Sequence, residues 1–245
     1  MTRAERRYLR LADHVLAVSE RNKNFFTRYI PQERISVVPT GVDTEYFHPE
    51  PGAEADGHVV FTGSMDWMPN HDAVEWYHRD ILPLIRQEVP GLATWIVGRN
   101  PSASLRSLDS DTFRVTGSVD DVRPYLRRCP VYIVPMRSGS GTRLKIFEAM
   151  AAGKAIVSTS TGAEGLPVEH ERSILLADSP RDFARQVIRL LADPALRQRL
   201  ASAARELVER NHSWGRVAEQ FETILVDAAR PPATHKTPPA LSTSP

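Results

Sequence analysis

The sequence predicts an α/β fold, a doubly wound parallel sheet in an α/β/α sandwich. Two observations carry that expectation. Short apolar runs rich in β-branched residues alternate with segments of helical periodicity along most of the chain. Glycines also stand just beyond four of those runs, at Gly63, Gly98, Gly117 and Gly139. In open parallel sheets, ligands bind beyond the carboxyl ends of the strands.

In chain order, residues 4–30 run from a helix into a short strand over 15–19. Ser19 is then placed to cap a helix carrying Phe25, Phe26 and Tyr29. A second short strand covers 35–38, followed by turn formers over 39–43. The stretch 50–57 is linker by composition. A new unit begins at His58, with a strand over 59–63 ending in Gly63. The helix predicted over 70–88 places Val74, Tyr77, Ile81 and Ile85 on one face, and Pro83 predicts a break or kink in it.

Strands over 94–98 and 113–117 follow, then a short helix over 120–128. The next strand, 131–134, is a continuous apolar run of the kind a strand buried on both faces shows. It leads into Ser138-Gly-Ser-Gly-Thr142, and then into a helix with Leu144, Phe147 and Ala151 at helical spacing. Gly153 ends that helix, and strands over 155–157 and 174–177 follow. A helix over 182–191 carries Phe183, Val187, Leu190 and Leu191. Pro194 opens the next, lined by Leu196, Leu200, Ala203 and Leu207. His212 or Ser213 opens a last helix with Trp214, Val217, Phe221 and Leu225, Trp214 reading as a packing residue. Five prolines and no periodicity make 230–245 a disordered tail.

Composition removes several function classes. The chain has 245 residues, with Lys+Arg 31 against Asp+Glu 30 and a net charge of +1. No global field argues for nucleic acid or an anionic membrane as partner. The single cysteine, Cys129, excludes an internal disulfide and any multi-cysteine metal site, and reads as a small buried residue. No apolar run approaches the ~20 residues of a spanning helix. The N-terminus lacks the apolar core of a signal peptide. The expectation is a cytoplasmic protein, with attachment to the inner face of the membrane left to a surface or a partner.

The stretch 138–148 carries the chemistry. A glycine loop lets backbone approach a ligand closely and delivers the chain to a helix N-terminus, whose free N–H groups favour an anion. Arg143 and Lys145 stand there as cations that oppose the helix dipole. Their presence makes sense if an anion such as a diphosphate sits among them. Glu148 supplies a carboxylate able to accept hydrogen bonds from sugar hydroxyls. The other reading is a surface loop with Lys145 and Glu148 as a solvated i,i+3 pair.

The motif Gly139-Ser-Gly-Thr-Arg-Leu-Lys-Ile-Phe-Glu-Ala-Met-Ala-Ala-Gly153, with Thr161-Gly-Ala-Glu-Gly-Leu166 beyond it, resembles the nucleotide-sugar signature of retaining glycosyltransferases of family 4. These enzymes have the GT-B fold of two Rossmann-like domains. Val15-Leu-Ala-Val-Ser19 and Val37-Val-Pro-Thr-Gly-Val-Asp43 resemble the segments that end the first domain and lead into the second. Phe61-Thr-Gly-Ser-Met-Asp-Trp-Met-Pro-Asn70 resembles the first strand and loop of the donor domain in one branch of the family.

The resemblance implies transfer of a sugar from a nucleoside diphosphate with retention of configuration, in cell-surface polysaccharide or glycolipid synthesis. It implies no cofactor and no metal, the departing diphosphate being stabilised by basic side chains and helix N–H groups. It places the donor against Gly63, Ser64, Asn70, Gly139, Ser140, Gly141, Thr142, Arg143 and Lys145, with Glu148 on the ribose. The base falls to backbone at Gly117, Ser118 and Val119. Two departures qualify it. Ser140 stands where the family usually has a glutamate that contacts the sugar. The loop after the first donor-domain strand has Ser64 and Pro69-Asn70 where the family often has an arginine and a lysine, so Arg143 and Lys145 are expected to take over that cationic role.

Residues 1–43 are expected to be the end of an N-terminal acceptor domain, 44–57 a linker, and 58–229 the nucleotide-sugar domain. The rest of the first domain is expected in a longer product or a complementary chain, and no catalytic residue is assigned. The partners are a nucleotide sugar, that missing domain and an unidentified acceptor. A module that binds the nucleotide or a partner without turnover is the alternative. An epimerase on the same fold is a further one, without the acid groups that it would need.

Overall fold

The structure, a computed structural model, describes residues 2–50, 58–139 and 141–229. Ser140, the compositional linker over 51–57 and the proline-rich tail over 230–245 lie outside the described residues. The first unit is small. Helix α1 (Arg3–Leu11) leads into strand β1 (Val15–Ala17), helix α2 (Glu20–Phe26) and strand β2 (Ile35–Val37). The capping box on α1 pairs Thr2 with Glu5, and Ser19 caps α2 through its hydroxyl, as its sequence position predicts. β1 and β2 form a parallel pair of their own, with Val15 opposite Ile35. Ala17, Ile30 and Ile35 make a minor core beneath it, while Leu11 and Leu16 are exposed.

The main sheet is built from β3 (His58–Thr62), β4 (Ala93–Val97), β5 (Phe113–Val115), β6 (Val131–Val134), β7 (Ala155–Ser158) and β8 (Leu175–Leu176). Its order is β5-β4-β3-β6-β7-β8, and every pairing is parallel. Val59 to Phe61 and all four residues of β6 are fully buried, so both faces of the central strands are covered. That is why these strands read as unbroken apolar runs and not as alternating ones. The strand expected over 94–98 lies one residue earlier, at Ala93–Val97, because Gly98 already belongs to the loop; those expected over 113–117 and 174–177 are shorter, at Phe113–Val115 and Leu175–Leu176.

The helix expected over 70–88 is three pieces. α3 (Met68–Trp76) passes through a π-helical turn at Tyr77–Ile81 into α4 (Leu82–Glu88). Pro83 lies in the first turn of α4, where its missing N–H costs nothing, and the wide turn absorbs the register change just before it. Tyr77, Ile81 and Ile85 stay fully buried through the break. A short helix α5 (Ala103–Arg106), capped by Ser102, lies in a stretch for which no element was expected. α6 (Arg123–Arg128) and α7 (Leu144–Ala151) follow, then α8 (Pro180–Ala192) and α9 (Pro194–Asn211), capped by Ser179 and Asp193. In α7 the buried side chains are Ile146, Phe147, Ala149, Met150 and Ala151. Leu144 is 43% exposed, a correction to the predicted apolar face, because it opens the helix at the rim.

The last helix, α10 (Trp214–Ala229), returns the chain to its beginning. The Val42 N–H donates to the His212 carbonyl at 2.7 Å, and the Trp214 N–H donates to the Val42 carbonyl at 3.3 Å. Gln220 donates to the Val37 carbonyl at 2.8 Å. The indole of Trp214 lies over Gly41, where a β-carbon would come within 2.7 Å of the ring. Trp214 is therefore a packing residue, as its sequence context predicts. α10 buries only Val217 among its described residues, and leaves Phe221, Leu225 and Val226 exposed. No helix among the described residues is long and apolar enough to cross a membrane.

Candidate functional site

The chain order of the strands locates a crevice. From β3 the chain steps outward to β4 and β5, then crosses back to lay β6 on the other side of β3. The loops after β3 and β6 therefore leave the sheet in opposite directions at a topological switch point, where doubly wound sheets hold their ligands. Gly63 to Asn70 comes from the first loop, and Gly139 to Arg143 from the second.

At the base of the crevice Lys145 meets Asn70. The Lys145 ammonium donates to Asn70 Oδ1 at 2.7 Å, and Asn70 Nδ2 donates to the Ser64 carbonyl at 2.8 Å. Asn70 is 3% exposed. The ammonium also lies 4.0 Å from the centroid of the Phe61 ring, over an apolar floor. Burial, and after it the neighbouring Arg143, lower the Lys145 ammonium to about 7, with Glu148 working against both. Burial raises the carboxyl of Glu148 above the usual carboxylate range, with Lys145 working against the rise. A cation held in such surroundings is stabilised by an incoming anion far more than a solvated one would be.

Gly63 is required by space. A β-carbon there would sit 2.6 Å from Asn70 Nδ2 and 2.8 Å from Lys145 Nζ. Gly98, at the end of β4, is its neighbour, and a β-carbon on Gly98 would overlap the Gly63 carbonyl. Two of the strand-end glycines are thus one packing arrangement, which lets the loop after β3 fold down over Lys145.

Arg143 is the N-cap of α7 and is 4% exposed, although it is a cation in a surface loop by sequence. Its guanidinium lies 5.8 Å from the centroid of the Trp67 ring, across the crevice. Gly141 and Thr142 are exposed beside it, and the Thr142 hydroxyl accepts from Thr40 at 3.4 Å. The hydroxyl of Ser64 is engaged with Asp66 and accepts from Arg99 Nε at 2.8 Å. The residues brought together are therefore Gly63, Ser64, Asn70, Gly139, Gly141, Thr142, Arg143 and Lys145.

Gly117, Ser118 and Val119 follow β5, which β4 separates from β3. With strands ~4.8 Å apart, that loop stands ~10 Å from the end of β3. Val119 packs its side chain against the core. Sequence reasoning missed Trp67, Asp66 and Arg99 as neighbours of the site. Trp67 lies inside a motif read for its glycine and asparagine, and nothing in the local pattern says that its ring faces the other loop. Among the described residues, no three His, Cys, Asp or Glu side chains gather where they could hold one metal ion.

A family model described as glycosyl transferases group 1 matches residues 56–193, more than half of the chain. The chain belongs to that family. A second model, described as Glycosyltransferase Family 4, matches residues 1–46. Among curated relatives, a GDP-mannose-dependent alpha-(1-6)-phosphatidylinositol monomannoside mannosyltransferase of Mycobacterium tuberculosis is 28% identical over 234 residues, covering 84% of this chain and 60% of that protein. The lipopolysaccharide core biosynthesis mannosyltransferase LpcC of Rhizobium leguminosarum is 28% identical over 209 residues, covering 77% of this chain and 57% of LpcC. The chain thus spans about 60% of the length of the first of these.

Solved glycosyltransferase structures share the fold. One from Rickettsia africae superposes with a TM-score of 0.75 at 15% identity, covering 94% of this chain and 68% of that one. HepE of Anabaena, solved with UDP and glucose, gives 0.70 at 17% identity, covering 90% and 67%. The fold is the Rossmann-like parallel sheet of GT-B glycosyltransferases, as the sequence predicts.

Proposed function

We propose that this chain is the donor-binding half of a retaining family 4 glycosyltransferase, holding a nucleoside diphosphate sugar in the crevice between the β3 and β6 loops. The observation that carries the reading is the Lys145 ammonium, held by Asn70 at the base of that crevice on an apolar floor. A lysine that serves only solubility stands in water. This one is half-buried at a strand switch point beside a buried cation, Arg143. Together they supply the charge that a departing diphosphate needs, at positions shielded enough for that charge to act strongly. Protein cations take the neutralising role, with no metal assigned. Glu148 is the group assigned to the ribose, and backbone at Gly117, Ser118 and Val119 to the base.

The relatives point to the donor and the setting. One is named GDP-mannose-dependent and acts on a phosphatidylinositol mannoside; the other is named for lipopolysaccharide core synthesis. GDP-mannose is therefore the first donor to test, and a glycolipid or cell-surface polysaccharide the proposed acceptor class. Transfer belongs to the whole enzyme. Residues 1–43 are assigned to the end of the acceptor domain, and the exposed Tyr8, Leu11, Leu16 and Val18 to the face that the rest of it covers. The proposed setting is the cytoplasmic side of a membrane that carries the acceptor.

A calorimetric screen of GDP, UDP and ADP against the chain tests the donor reading, with micromolar binding of one of them expected. No binding of any of the three contradicts it. Transfer from GDP-mannose, measured with and without the remaining portion found in the relatives, then separates an enzyme half from a module that binds without turnover.

A further inference from the structure

We infer that Trp67 is a positioning residue: its indole holds the Arg143 guanidinium and the glycine loop in the arrangement that receives the diphosphate. The inference rests on the donor-binding reading and adds a residue to which that reading gave no role. Trp67 belongs to the loop after β3, and Arg143 to the loop after β6, so their contact spans the crevice. The guanidinium lies 5.8 Å from the ring centroid, within reach of the attraction between a cation and an aromatic face.

Gly139 supplies the second observation. Its φ is +124°, which side-chain-bearing residues rarely adopt. A β-carbon there would lie 3.0 Å from Trp67 Cη2 and 3.1 Å from both terminal nitrogens of Arg143. The glycine loop therefore passes over the place where indole and guanidinium meet. Three groups from two loops are packed at one point, and each restricts the other two.

The physical consequence is preorganisation. Arginine carries a long, flexible stem, and an arginine free in solvent must be ordered when it meets an anion. Here the order exists beforehand: Arg143 is 4% exposed, with the indole beside it. Trp67 itself is 39% exposed, so its ring acts as a wall of the crevice and not as a core residue. Trp67 also accepts, through its backbone carbonyl, from the Asn70 N–H at 2.9 Å. The same residue thus starts α3, which presents Asn70 to Lys145, and braces the loop that presents Arg143.

The test is calorimetric titration of the full chain and its variants with GDP and UDP, beside thermal unfolding. W67A is expected to weaken the preferred nucleotide about tenfold, the size of effect that a desolvated cation–π contact supports. W67F keeps an aromatic face and is expected to recover most of that loss. R143A is expected to weaken binding more, and W67A in the R143A background to cost little further, because Trp67 acts through Arg143. Tryptophan is a rim residue, so W67A is expected to unfold cooperatively near the wild-type temperature; G139A tests the same junction if it does not. Wild-type affinity in W67A, or full additivity of W67A and R143A, overturns the inference while leaving the donor reading intact. Failure of the wild-type chain to bind any nucleoside diphosphate overturns both.

Discussion

The Lys145 ammonium and the Asn70 side-chain carbonyl, 75 positions apart in sequence, meet at 2.7 Å beneath the loop after β3. The loop after β3 supplies the asparagine, and the cation beside it comes from α7. The asparagine orients an amine that the neighbouring helix delivers, and the ring of Phe61 covers one side of it. The site's charge thus depends on how β3 and β6 sit side by side.

A pH dependence follows from that burial. The free protein holds Lys145 at about 7, well below a solvated amine. A bound diphosphate favours the charged form and raises it again. Above pH 7 binding must take up a proton, and the apparent affinity falls as pH rises from 7 to 9, by up to tenfold per unit while the bound form stays protonated. Below pH 7 the amine is already charged and the uptake vanishes. Titrations at pH 8 in buffers of different ionisation enthalpy measure the uptake directly. Identical heats in all buffers would remove Lys145 from the binding account.

Gly63→Ala tests the packing of the floor. The added carbon would lie 2.6 Å from Asn70 Nδ2 and 2.8 Å from Lys145 Nζ, so one of the two must move. Overpacking of this kind costs about 1–3 kcal/mol, and thermal unfolding should show it. Nucleotide affinity is expected to fall as well, because the group displaced is the cation or the amide that holds it. An alanine variant with wild-type affinity would mean that Lys145 does not need its present place.

Trp214→Ala probes a different link. Trp214 lies over Gly41, and α10 is tied to the segment 37–42 by backbone hydrogen bonds and by Gln220. Trp214 is 55% exposed, so its loss should cost only about 1 kcal/mol in stability and free α10 for proteolysis. Nucleotide affinity should not change, since among the described residues the polar contacts of Trp214 and Gln220 go to the segment 37–42 and not to the crevice. A large loss of affinity would show that Trp214 touches the donor.

Much of the fold was legible because central parallel strands announce themselves. Val131 to Val134 are buried on both faces and read as one apolar run. The helix cap at Ser19 is local chemistry and sits where the sequence places it. Ser179 and Asp193 cap α8 and α9 in the same way, though no cap was expected at either from the sequence. The π-helical turn at Tyr77–Ile81 was not legible, because Pro83 forbids a regular helix without saying where the strain is taken up. Leu144 reads as core by spacing and faces outward, because the helix begins there and the loop turns it to the rim. At the site, the glycines and cations of 139–145 were visible as types. That Lys145 would be held by Asn70, and Arg143 lie against Trp67, depends on pairing β3 with β6. No local window of sequence contains both partners.

The most direct test is charge reversal at the two cations of the crevice. Lys145→Glu and Arg143→Glu are titrated with the nucleoside diphosphate that the wild-type chain prefers, with thermal unfolding of each as the folding check. Each reversal replaces an attraction with a repulsion at partly desolvated positions, and a loss of at least about a hundredfold is expected. Wild-type affinity in both variants would place the diphosphate elsewhere and contradict the account.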